Sequence, residues 1–163
     1  MIELMIVVAI IAIAAAIVVP MASSAGGMQL RAAVTMVAAD LEYAKSMSIS
    51  RGHRYAVVFD KNTESYQIED LSKPSGDPAR IIEHPIRKGF RYVVNFANDS
   101  RLSHVEIGDA NFDGTNTVSF DYLGSPLNGN DTNLNSGVIT LQAAGITRTV
   151  SVQPVTGYIS ISN

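Results

Sequence analysis

The sequence has no cysteine. A disulfide framework and thiolate metal sites are therefore excluded, and stability has to come from packing. Tryptophan is also absent, and charge of neither sign dominates: 12 Lys plus Arg stand against 15 Asp plus Glu, a net charge of -3. No global field draws such a chain to nucleic acid or to anionic lipid, so any binding of that kind would have to be local. Basic residues are missing altogether before Arg31. That omission argues against a cleaved signal peptide, which begins with a basic region.

What fills this uncharged start is the stretch IELMIVVAIIAIAAAIVVP at residues 2–20. Leu4 to Val19 is an uninterrupted apolar run. As a helix it is about 24 Å long, a little less than a bilayer core of roughly 30 Å, and continuation towards Ala25 adds length without charge. A buried helix of a soluble protein is the other reading, but a helix apolar all round needs cover on every side. Glu3 fits neither reading. A carboxylate at the edge of such a segment is costly unless it meets water or a cation, which marks it as an assembly residue.

Pro20 and the SSAGG of residues 23–27 follow. Proline removes a helical hydrogen bond, and each glycine costs roughly 1 kcal/mol in a helix relative to alanine. Pro20, Gly26 and Gly27 therefore read as a hinge, or as a plain linker between two helices. Beyond them Leu30, Val34, Val37, Leu41 and Ala44 recur at spacings of four and three, while Arg31, Asp40, Glu42 and Lys45 lie off that stripe. This is an amphipathic helix laid on a sheet, ending near Arg51 and Gly52. The basic cluster Arg51, His53 and Arg54 suits the negative end of a helix dipole.

From Tyr55 the period becomes alternating. YAVVF (55–59) and SYQIED (65–70) predict a hairpin. Further strands are expected at 80–84, 90–96, 104–109, 117–122, 138–144, 147–153 and 158–162. The expected organisation is an apolar helix over residues 1–25, an amphipathic helix over 26–52 and a β-rich region over 53–163. The fold class is α+β, a long N-terminal helix packed on antiparallel sheet.

No catalytic constellation emerges, and the expectation is a protein that is not an enzyme. His53, His84 and His104 are isolated, and no G-x-S-x-G elbow or P-loop is present. One segment, DANFDG at 109–114, matches the opening of a calcium loop through Asp109, Asn111 and Asp113. Its twelfth position is Phe120 where a bidentate glutamate should close the loop, so an ordinary turn competes with the calcium reading.

The N-terminal stretch resembles the shared helix of type IV pilins and type II secretion pseudopilins. The run DLEYAKSMSISRGHRYAVVFD, the FDYLGSP of 120–126 and the tail SGVITLQAAGITRTVSVQPVTGYISIS resemble the GspH/FimT subgroup of minor pilins. The resemblance implies a structural subunit that assembles with other pilins through Glu3, Ile6, Val7, Ile10, Ile11, Ile13 and Ile17. It implies pairing of Glu3 with the N-terminal ammonium of a neighbouring subunit. Prepilin peptidase acting on a precursor, an inner-membrane assembly platform and a single-pass anchor with a periplasmic globular domain are also implied. The family's basic leader, cleavage glycine and first two mature residues are missing here, and Met1 stands where leucine is usual, so a truncated or misplaced start is expected. Some FimT-like pilins bind DNA through Gly-Arg-x-Arg near the C-terminus. Here the place reads GITR and only Arg148 remains, which makes DNA an unfavoured partner.

Overall fold

The computed structural model describes residues 2–162; the side chains of residues 14–25 lie outside that description. One α-helix, α1 (Ile2–Arg51), accounts for 50 residues and is about 75 Å long. It runs on through the expected hinge-or-linker segment, so the long N-terminal helix expected of the fold is one element and the linker alternative does not hold. Pro20 belongs to the segment whose side chains are not described. Gly26 and Gly27 have a packing role: a Cβ on Gly26 would stand 2.7 Å from Cβ of Ala144, and one on Gly27 3.5 Å from Cδ1 of Ile146. The helix ends where its dipole and caps require, with Arg51 in the last turn and Gly52 at φ 72° donating its N–H to the Ser48 carbonyl.

Among the described residues nine strands follow: β1 (Tyr55–Asp60), β2 (Ser65–Asp70), β3 (Val93–Asn95), β4 (Glu106–Phe112), β5 (Thr117–Phe120), β6 (Pro126–Asn128), β7 (Gly137–Ala143), β8 (Ile146–Val152) and β9 (Ile159–Ser162). They form two antiparallel sheets rather than one, ordered β3-β2-β1-β5-β6 and β4-β7-β8-β9. The C-terminal half of α1 lies across both, against β1 and β5 of the first and β7, β8 and β9 of the second. The expected β1–β2 hairpin is present in register Tyr55↔Asp70 through Asp60↔Ser65. Residues 80–84 are not a strand. Pro78 starts a 3₁₀ turn capped by Asp77, and Ile81 and Glu83 make only isolated bridges before Pro85. Sequence reading also missed β6, a strand of three residues opened by Pro126, a place where proline is tolerated.

The stripe Leu30, Val34, Val37, Leu41 and Ala44 is fully buried against Val57, Phe59, Ile68, Phe120, Ile139 and Leu141. Asp40 corrects the expected polar face: it is buried, and its carboxylate accepts a hydrogen bond from each of two tyrosines. Tyr66 on β2 donates to Oδ2 at 2.6 Å, and Tyr92 just before β3 donates to Oδ1 at 2.7 Å. Tyr92 is sandwiched by Tyr43 (ring centroids 5.7 Å apart) and His84 (4.7 Å). Burial pushes the Asp40 carboxyl above its ordinary range, against the two phenol hydrogen bonds and nearby His84. Burial and the same carboxylate raise Tyr66 and Tyr92, so both remain donors.

A second joint ties the sheets together. In FDYLGSP, Asp121 Oδ1 accepts from the N–H groups of Leu123 (2.9 Å) and Ser125 (2.8 Å), which sets the β5–β6 turn and places Gly124 at φ 85°. Gly157, at φ 58° in the β8–β9 turn, sits on it so closely that a Cβ would lie 2.6 Å from the Gly124 carbonyl oxygen. Lys45 Nζ donates to the Gly157 carbonyl at 3.0 Å, fastening α1 to this contact.

Two predictions follow from these joints, both measured on the full chain in detergent micelles. Gly157→Ala should lower the free energy of denaturant unfolding by about 2 kcal/mol, through clash and left-handed strain. Gly114→Ala, also at positive φ but in open space, should cost only about 1 kcal/mol. The raised Asp40 pKa means that its neutral form favours folding. That contribution is complete below the unfolded value near 3.8 and is lost as pH rises through the higher folded value. Relative to Asp40→Asn, wild-type melting temperature should therefore fall as pH rises above about 4; a pH-independent difference would contradict the assignment.

Candidate functional site

At its N-terminal end, over Ile2 to Ile13, α1 carries its apolar side chains bare. Ile2, Leu4, Met5, Ile6, Val7, Val8, Ile10, Ile11 and Ile13 are all exposed, from 49% at Val7 to 77% at Ile2. At 100° per residue these positions go fully round the rod. No strand of the same chain covers them, and exposure in water would forfeit about 1.5–3 kcal/mol for each large side chain. The rod therefore calls for an apolar surrounding on every side. Of the expected assembly residues, Glu3, Ile6, Val7, Ile10, Ile11 and Ile13 lie together on this exposed rod. Ile17 is outside the described residues. Among the described residues, no helix is long and apolar enough to cross a membrane.

The DANFDG segment does other work than the calcium reading gave it. Asp109 and Asn111 are exposed positions of β4, extended rather than looped. Asp113, at φ 52°, turns its carboxylate on the β6–β7 connection: Oδ2 accepts from the N–H of Asn135 at 2.8 Å and Oδ1 from the N–H of Ser136 at 3.0 Å. These backbone donors, with the amides of Asn128 and Asn135, hold its carboxyl below the usual carboxylate range. Asn111 Oδ1 accepts from Gly114 N–H at 2.8 Å. The oxygens thus close a turn, and among the described residues no group of three or more His, Asp or Glu is placed to hold a metal ion.

Arg148 stands half-buried on β8 opposite Leu141, with uncharged Thr147 and Thr149 beside it. A lone cation among hydroxyls gives no phosphate-tracking surface. The histidines are equally dispersed: His53 meets Asp70 at 3.1 Å, His84 stacks on Tyr92, and His104 lines a shallow recess with Glu106 beside the β7–β8 turn.

Sequence reading passed over Asp40 and Lys45 as polar anchors of the helix. Spacing could have found Asp40, which lies three residues after Val37 and four before Ala44, in line with the buried stripe. No local signal marks Lys45, whose partner is 112 residues away.

The fold agrees with that of solved structures. The type IV minor pilin FimU of Pseudomonas aeruginosa superposes with TM-score 0.52 at 17% identity, over 82% of this chain and 92% of that one. The minor pseudopilin EpsH from the type 2 secretion system of Vibrio cholerae gives TM-score 0.57 at 10% identity, over 82% and 96%. No curated protein matches the sequence. The model of the family described as type II transport protein GspH matches residues 33–156, well over half of the chain. On that match the chain belongs to the GspH family, and its fold is that of the minor pilin and pseudopilin structures.

Proposed function

We propose that this minor pilin or pseudopilin is a non-enzymatic subunit held by its N-terminal helix in the bacterial inner membrane, with its globular domain in the periplasm. On assembly, the helix passes from lipid into the core of a pilus or pseudopilus. The observation that carries this reading is the division of one helix between two surroundings: from Gly26 on, one stripe of the helix is buried by the chain's own sheets, whereas Ile2 to Ile13 are exposed all round and, Glu3 apart, apolar. Lipid tails and neighbouring helices are the two surroundings that cover such a rod without contact with water. Transfer between them costs far less than transfer into water, so extraction proceeds only together with assembly.

Within that reading Ile6, Val7, Ile10, Ile11, Ile13 and Ile17 pack against equivalent helices, and Glu3 supplies the charge that a neighbour's N-terminal ammonium meets. The partners are other pilins, the inner-membrane assembly platform and, for the precursor, prepilin peptidase. Pro20 with Gly26 and Gly27 is the place where the helix would yield as it changes surroundings.

Glu3→Leu should leave membrane fractionation unchanged and reduce recovery in sheared filaments about tenfold, as loss of roughly 1.4 kcal/mol of pairing would. Quantitative immunoblotting of membrane and filament fractions measures both. Undiminished incorporation would contradict the pairing role.

A further inference from the structure

The outer face of the five-stranded sheet carries a notch of about 230 Å3 lined by Arg54, Arg80, Thr117, Ser119, Asn128 and Asp131, among others. Strand alternation creates it. Val118 and Phe120 of β5 point into the core, so Ser119 points the opposite way, beside Ala56 of β1 and Leu127 of β6. Although on the outer face, Ser119 is only 1% exposed, and its Oγ has no hydrogen-bond partner among the described residues. A buried hydroxyl without a partner is uncommon and costs about 1–3 kcal/mol.

The neighbouring groups define what would satisfy it. Arg54 is committed to both oxygens of Asp131, at 2.7 and 3.4 Å. Arg80 uses Nε on Glu69 and Nη1 on the Lys73 carbonyl, while its Nη2 makes no hydrogen bond among the described residues. Asn128 is saturated: its amide reaches Thr132 Oγ1 and Asp113, and its oxygen accepts from the N–H groups of Asn130 and Thr132. The unused groups are a guanidinium N–H and a hydroxyl free to donate, and the two guanidiniums stand against Asp131 in the lining and Glu69 behind Arg80. A ligand with two coplanar acceptor oxygens and one negative charge matches this set.

We propose that this notch is a carboxylate-binding site, in which Ser119 Oγ and Arg80 Nη2 donate to the two oxygens beside the Arg54–Asp131 pair. The site lies on the globular domain, away from the apolar rod, and does not rest on the filament reading. A small free carboxylate, a chain terminus and an acidic side chain share this chemistry.

The test is an NMR titration of the isotopically labelled full chain in detergent micelles with sodium acetate, with sodium chloride at matched ionic strength as control. Saturable shifts are expected at the Ser119 amide and the Arg80 Nε–H signal. Ser119→Ala, which keeps the fold, should raise the acetate midpoint about tenfold, and Arg80→Gln should remove saturation. Absence of saturation, equal shifts with chloride, or an unchanged midpoint in Ser119→Ala would overturn the proposal. Displacement of acetate by a peptide with a free C-terminus identifies a chain terminus, displacement by an amidated aspartate peptide identifies a side chain, and displacement by neither identifies a free small carboxylate.

Discussion

A helix that is apolar all round at one end and apolar on one stripe at the other cannot be satisfied by a single solvent. Every other feature of this chain answers that constraint. From Leu30 to Ala44 the stripe is narrow enough for two sheets to cover, and they cover it completely. From Ile2 to Ile13 the apolar surface has no face to turn to water, and nothing among the described residues covers it. The globular part thereby becomes a polar cap on a rod whose surroundings must be provided from outside.

The anchors of the covered half follow from the mechanical demand this makes. A rod loaded along its length would slide over a purely apolar seat, because apolar contacts carry little directional preference. Polar contacts oppose that motion. Asp40 is held by phenols from β2 and from the segment before β3, Lys45 by the backbone of the β8–β9 turn, and Gln29 Oε1 by the N–H of His104 just before β4, so both sheets hold the helix. The glycines at 26, 124 and 157 remove side chains where helix, turn and turn approach most closely.

Much of this was legible in the sequence, and the failures have physical causes. The amphipathic stripe, the change of period at Tyr55 and the β1–β2 hairpin all rest on local patterning, which the structure keeps. Division into two sheets was not legible, because alternation reports which face is buried and not which strand lies alongside. Residues 80–84 look like a strand by composition, yet Pro78 and Pro85 confine them to isolated bridges. Asp113 has calcium-loop chemistry in sequence, but its oxygens are claimed by the backbone of Asn135 and Ser136, more than twenty residues away. The carboxylates of Asp40, Asp113 and Asp121 all turned out to organise backbone or hydroxyl donors, a role that composition alone does not distinguish from ligand binding.

The absence of native cysteine allows the central claim to be tested with single reporters. Ile10→Cys on the rod and Lys61→Cys in the exposed β1–β2 turn would be treated with a membrane-impermeant maleimide, first in membranes and then in assembled filaments. The account predicts rapid labelling at position 61 and protection at position 10 in both states. Labelling of position 10 as fast as position 61 in the filament would show that no neighbouring helix covers the rod, and would contradict it.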